Sequence, residues 1–234
     1  MTDGPVRNAV PILWRRSVFE LVGSGSEVAS GVSRVERGAD GRVSNERYIS
    51  WVRLRQKATG GVFVAANTHL LPTIDRAGHP DRSKPARLRI YDQEVSHLLQ
   101  LVDRVKSGGP VIVTMDGNID ARADGRVKDP RWPQVRMGRH GLSSSWRLLG
   151  YPTGGTHERR LIDYVWATTS TIRPIGQRIL GKYGSDHSAV AVTLTNRTAA
   201  ANAAVTADLQ SGAGTTTGAL PAKITCQAPS RGPH

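Results

Sequence analysis

Six strand-length runs of apolar and β-branched residues punctuate the chain, at Val10–Trp14, Tyr48–Leu54, Val62–His69, Val111–Met115, Leu161–Ala167 and Ala189–Leu194. Four of them are continuous rather than alternating, the pattern of strands covered on both faces. Such runs need a sheet buried between other layers. One long helix is written between the third and fourth runs. Leu88, Tyr91, Val95, Leu98, Leu99, Val102 and Val105 recur at three- and four-residue steps within residues 86–105, a stripe that faces a core. Ser107-Gly108-Gly109-Pro110 stops this helix and launches the next strand. A second, short helix is expected over Ser143–Leu149. Together these elements predict an α/β layered domain.

The patterning stops near Leu194. Residues 196–218 are almost all Ala, Thr, Asn, Gly and Ser, too poor in large apolar groups to offset chain entropy, and read as a linker. Residues 219–234 form a short proline-rich tail without assignment, so the folded domain is expected over residues 1–195. No run approaches the ~18 apolar residues of a membrane span. Met1–Val10 carries Asp3 and Arg7 and has no apolar signal core, which makes the cytoplasm the default location. Cys226 is the single cysteine, which excludes an internal disulfide and a multi-cysteine zinc site.

Polar and ionisable residues gather at the ends of the apolar runs. Val62–Ala66 leads into Asn67-Thr68-His69, Val111–Met115 into Asp116-Gly117-Asn118, and the loop before the last run reads Gly184-Ser185-Asp186-His187. Strand ends of an α/β sheet converge on a rim where such proteins bind ligands. Taken singly, Asp116-Gly117 also fits a plain turn, His69 a satisfied core histidine, and Asp186-His187 a helix cap. Asp163 is harder to explain that way. It is flanked by Leu161, Ile162, Tyr164, Val165 and Trp166, where an acid needs a partner to offset its desolvation. His187 is the obvious one.

Charge points in a compatible direction. Lys and Arg number 32 against 19 acids, a net charge of +13, and only six of those cations are lysines. A guanidinium meets phosphate oxygens through paired hydrogen bonds, so a polyanionic partner or a phosphate-bearing substrate is favoured over an inert basic surface. Arg122, Arg126, Lys128, Arg131, Arg136 and Arg139 follow Asp116-Gly117-Asn118, with Trp132 among them. That segment reads either as a track for a nucleic-acid backbone or as a solvated loop. Gly23-Ser24-Gly25 lacks the third glycine of a dinucleotide site, and there is no phosphate-loop Gly-Lys-Ser/Thr.

The order Asn67-Thr68-His69-Leu70, Asp116-Gly117-Asn118, Ile162-Asp163-Tyr164 and Ser185-Asp186-His187 resembles the endonuclease/exonuclease/phosphatase superfamily, whose fold is DNase I-like. The resemblance extends over roughly residues 9–195 and takes in Val10–Trp14, Gly23-Ser24-Gly25 and Gln93. Its most specific element is Ser185-Asp186-His187. The resemblance implies a four-layer α/β/β/α sandwich and a metal-dependent phosphodiester hydrolase, nuclease-like in its substrate. In that scheme Mg²⁺ or Mn²⁺ sits near Asp186, Asp116 orients or deprotonates the attacking water, and Asn118 fixes the nucleophile or a phosphate oxygen. Asp163 holds His187 in one tautomer, His187 donates to the phosphate, and His69 is a second donor and general acid. The implied partner is a phosphate-containing substrate, with DNA or RNA among the candidates, taken by a monomer. A lipid or sugar-phosphate phosphodiesterase of the same fold, a degenerate polyanion-binding module that does not cut, and a purely structural fragment are the alternatives.

Two departures from the family pattern shape the expectations. Met115 and Gly117 replace the usual Gly and Phe around Asp116. The family also opens with a strand bearing an asparagine, then a helix and a strand ending in a metal-binding glutamate. Nothing ahead of Val10 supplies these, and Glu20 lies too far downstream to substitute. The sandwich is therefore expected to be incomplete, lacking its first strand-helix-strand segment, with a wide crevice or poor solubility as the result. Activity of residues 1–234 alone is expected to be weak or absent.

Overall fold

A computed structural model describes residues 10–34, 43–197 and 224–226. The chain first makes three antiparallel strands, β1 (Phe19–Ser30), β2 (Arg47–Gln56) and β3 (Val62–His69). Helix α1 (Pro85–Val105) then carries it back across the sheet, so that β4 (Val111–Asp116) lies parallel to β3. Two short helices, α2 (Ala121–Val127) and α3 (Pro133–Arg139), lead to β5 (Leu142–Ser144) and α4 (Ser145–Leu149). Strand β6 (Asp163–Thr168) enters between β4 and β5, completing a six-stranded sheet in the order β1-β2-β3-β4-β6-β5. A second, antiparallel sheet holds β7 (Ile172–Ile179), β8 (Val190–Asn196) and β9 (Ile224–Cys226).

One face of the large sheet is sealed by helices. Pro85 presets the backbone at the start of α1, and the expected apolar stripe is buried along its length. Gly109 turns the chain into β4 at φ 131°, where a Cβ would stand 2.7 Å from the Val62 carbonyl oxygen. Trp132, Trp146, Trp166, Tyr91 and Leu98 lie almost wholly out of water on this side. Each such side chain contributes ~1.5–3 kcal/mol by leaving water.

The other face is covered unevenly. Ile172, Val190 and Val192 of the small sheet join the main core beside β6. Toward β2 and β3, the apolar residues Phe19, Val52, Leu54, Phe63 and Ala65 are covered chiefly by Ile12, Trp14 and Val18. A crevice of about 1140 Å³ opens between these two parts. Among the described residues the layers are helices, a six-stranded sheet and a three-stranded sheet, the incomplete form of the expected sandwich. No described helix is long and apolar enough to cross a membrane.

Several expected elements change. Val10–Trp14 forms no strand. Pro11 has no N–H to give a ladder, and its carbonyl instead accepts a hydrogen bond from Asn67 Nδ2 at 3.2 Å. Conversely the Gly/Ser-rich stretch after Phe19 becomes the longest strand, because Trp51 of β2 lies across it. A Cβ on Gly25 would come within 2.7 Å of the Trp51 indole nitrogen. Leu161 and Ile162 precede β6 rather than opening it, and Ser143–Leu149 divides between β5 and α4. Residues 121–139 are not a loop but mostly α2 and α3. The expected linker from residue 198 onward lies outside the described residues, as does the tail apart from Ile224–Cys226, which pairs with β8.

Candidate active site

Strand register builds the site. Parallel pairing sets His69 beside Asp116, and antiparallel pairing sets Asp163 on the other side of Asp116. The last residue of β3, the last of β4 and the first of β6 thus form one row. Because side chains alternate along a strand, Ala65, Ile112 and Val165 share the face of this row and line the crevice, while Val64, Val113 and Trp166 lie on the opposite face and do not line it. His69 Nε2 is 3.2 Å from Asp116 Oδ2. His187, from the loop before β8, brings Nδ1 to 2.9 Å from Asp163 Oδ2 and Nε2 to 3.9 Å from the same Asp116 oxygen. The expected Asp163–His187 pair is therefore present. His69, Asp116, Asn118, Asp163, Asp186 and His187 all line the one crevice.

The turn after β4 explains its residues. Asn118 has φ 52°, a left-handed conformation that asparagine tolerates. Its N–H donates to Asp116 Oδ1 at 3.0 Å, and its Nδ2 donates to the Leu70 carbonyl at 2.8 Å. One donor of the Asn118 amide thus ties the ends of β3 and β4 together. Gly117 is needed because a Cβ there would approach the Tyr164 ring to 2.9 Å. From below, the Tyr91 hydroxyl donates to the Gly117 carbonyl at 2.8 Å.

The fold is similar to that of solved structures at low sequence identity. A Bacteroides thetaiotaomicron mannosyl-6-phosphatase is similar at TM-score 0.55 and 20% identity, over 78% of this chain and 69% of that one. The catalytic domain of human Nocturnin, solved with a bound sulfate anion, gives 0.51 and 21%, over 77% and 61%. An endonuclease/exonuclease/phosphatase family protein from B. thetaiotaomicron gives 0.53 and 18%, over 76% and 66%. The chain has the DNase I-like fold. It spans about two thirds of the length of these DNase I-like chains. No protein-family model matches the sequence, and no curated protein does.

Burial sets the electrostatics of this row. Desolvation, with the neighbouring Asp163 charge adding to it, pushes the Asp116 carboxyl up to about 7, against opposing pulls from His187 and the Asn118 N–H. The Asp163 hydrogen bond raises the His187 imidazole above its ordinary value in spite of burial. Beneath the row, Arg47 donates to the His69 and Leu70 carbonyls at 2.9 and 3.2 Å and lies 3.6 Å from the buried Glu94. Glu94 also accepts from Ser30 and from the Leu71 N–H, so the end of β3 is braced from inside the sheet. Burial raises the Glu94 carboxyl and lowers the Arg47 guanidinium.

Residues 156–160 supply what the strand-end pattern does not reveal. Thr156 is fully buried, and its hydroxyl accepts from the Ile162 and Asp163 N–H groups while its carbonyl accepts from Ser188. It aligns both partners of the Asp163–His187 pair. His157 Nε2 lies 3.7 Å from Asp186 Oδ2, and its ring centroid is 4.7 Å from that of His187. Arg160 donates to Asp75 and to the Asn118 carbonyl, both at 3.0 Å. The sequence signal for this hub is Gly154-Gly155, since a Cβ on Gly155 would stand 2.6 Å from the backbone of Glu158 and Arg159.

Among the described residues two groups of side chains could hold a metal ion, His157-Asp186-His187 and Asp116-Asp163-His187, each with ligand atoms within 4.8 Å of one another. Asp186 is the most exposed of these carboxylates, at 58%. No glutamate belongs to either group among the described residues. Glu20 is on β1, paired with Arg55 at 3.1 Å and away from the crevice lining.

Proposed function

We propose that the chain is a divalent-metal-dependent phosphodiester hydrolase, nuclease-like in its choice of substrate. The observation that carries this reading is the row of His69, Asp116 and Asp163, with His187 seated on Asp163. With its Nδ1–H given to Asp163, His187 turns Nε2 toward the crevice. The Asp163 hydrogen bond raises its pKa and so favours the charged form, a donor for a non-bridging phosphate oxygen. Asp116, pushed up to about 7, is poised to orient a water and take its proton at neutral pH. His69 shares the same Asp116 oxygen and stands ready to protonate the leaving oxygen.

The donor chemistry fits a Mg²⁺ or Mn²⁺ ion. Mg²⁺ commonly uses one or two carboxylates and substrate phosphate, and Mn²⁺ accepts the same oxygens, with His157 close at hand. Asp186 would hold it beside His157, and the ion when bound neutralises charge on the phosphate and the leaving oxygen. With no glutamate in the group, metal affinity and rate are expected to be modest. The test is hydrolysis of bis(p-nitrophenyl) phosphate by the whole chain with Mn²⁺ or Mg²⁺. Slow, cation-dependent release is expected, with Asp116→Asn lowering kcat/KM by ~10²–10⁴-fold. Equal rates for the variant and the wild type, or indifference to the cation, overturn the proposal.

A further inference from the structure

A second hollow of about 520 Å³ adjoins the crevice, and Asp75 and Arg160 line both. Arg122 and Arg126 of α2 and Asp120 complete its charged wall. The two acids are already neutralised, Asp75 by Arg160 at 3.0 Å and Asp120 by Arg122 at 3.4 Å. Arg122 is held rigid by the carbonyls of Pro152, Gly154 and Arg159. Arg126 is exposed and has no hydrogen-bond or ion-pair partner among the described residues. Other cations of the basic segment have different work: Arg131 and Arg136 both lie within 4 Å of Asp92 on α1, at 3.7 and 3.6 Å. The basic segment is therefore not a single track. What remains beside the site is a fixed guanidinium, Arg160, between the two cavities and an unspent one, Arg126, in the second.

We propose that this hollow is a second phosphate subsite, holding a phosphate of the substrate adjacent to the one at Asp116 and His187. This rests on the phosphodiester reading above and narrows it, since a substrate with at least two phosphates is favoured over one with a single phosphate. A guanidinium meets phosphate through paired hydrogen bonds, which suits Arg126 to the task. The neighbouring phosphate of a nucleic-acid strand and the second phosphate of a small bisphosphate share this chemistry.

Calorimetric titration of the whole chain in Ca²⁺ with tetrathymidylate, fructose 1,6-bisphosphate and inorganic phosphate tests it. Wild type is expected to bind tetrathymidylate or the bisphosphate at least ~10-fold tighter than inorganic phosphate. Arg126→Glu should remove that advantage and leave inorganic phosphate unchanged. Lys128→Glu, the same charge reversal two residues on, should change nothing. Whichever of the two larger probes shows the loss identifies the source. Equal binding by wild type and Arg126→Glu overturns the subsite, as does an equal loss for inorganic phosphate or in Lys128→Glu. If inorganic phosphate does not bind while Arg126→Glu still weakens tetrathymidylate, the catalytic row is wrong and the subsite stands.

Discussion

Asp116 and Asp124 are both carboxyls that burial pushes up to about 7, yet they stand in different surroundings. Asp116 ends a strand at the open crevice, with two imidazoles within 4 Å. Asp124 is sealed in the helical layer at zero exposure, where its Oδ2 accepts the Gln134 N–H at the start of α3. The same shift thus marks a reactive group on one side and a helix brace on the other. A perturbed carboxyl identifies a site only when it also has access and titratable partners. The two faces of the sheet divide in the same way, one packed for stability and the other left open for chemistry.

The largest test of that division is deletion of an aromatic ring on each face. Trp166→Ala, in the sealed core, should lose ~3–5 kcal/mol of stability by denaturant unfolding. Phe63→Ala, on the half-buried crevice wall, should lose ~1–2 kcal/mol. Similar losses would erase the distinction between the faces.

Next in size is pH. Both carboxyls have folded pKa values above the ordinary carboxylate value, so the stability they contribute is complete below about pH 4 and lost as pH rises through about 7. His187, also raised, gives its contribution below its ordinary value and loses it as pH climbs through the folded one. Metal-free protein should accordingly melt lower at pH 8.5 than at pH 5.5. Asp124→Asn, which cannot ionise, should recover ~2–4 kcal/mol at pH 8.5 without lowering kcat/KM. A fall in kcat/KM would place Asp124 in the working part of the molecule. The smallest effect belongs to Ala65→Val, which adds two methyl groups facing the crevice. It should shift stability by less than ~0.5 kcal/mol, whereas the same change at the enclosed Ala66 should cost ~1–3 kcal/mol.

What could be read in the sequence followed the cost of burying charge. Asp163 among Ile162, Tyr164 and Val165 demanded a partner, and His187 meets it. The periodic stripe of α1 and the stop at Gly109 were equally plain. Residues whose role depends on tertiary contacts were not. Phe19–Ser30 holds as a strand through Trp51, and Val10–Trp14 has strand-like residues without a ladder to join. His157 sits in an irregular loop, where no period announces which way a side chain faces. Helix α2 did carry a local sign, since the Asp120 side chain accepts the N–H groups of Arg122 and Ala123, but the surrounding arginines masked it.

Making the site from neighbouring strand ends has a consequence for where such a chain can tolerate added or lost residues. A single extra residue inside Val111–Asp116 would rotate every later side chain by half a turn, sending Asp116 toward the helices and leaving His69 and His187 facing an apolar residue. The stretches between the strands are under no such arithmetic. Length changes can accumulate there, reshaping what enters the crevice while the row itself is held to its count.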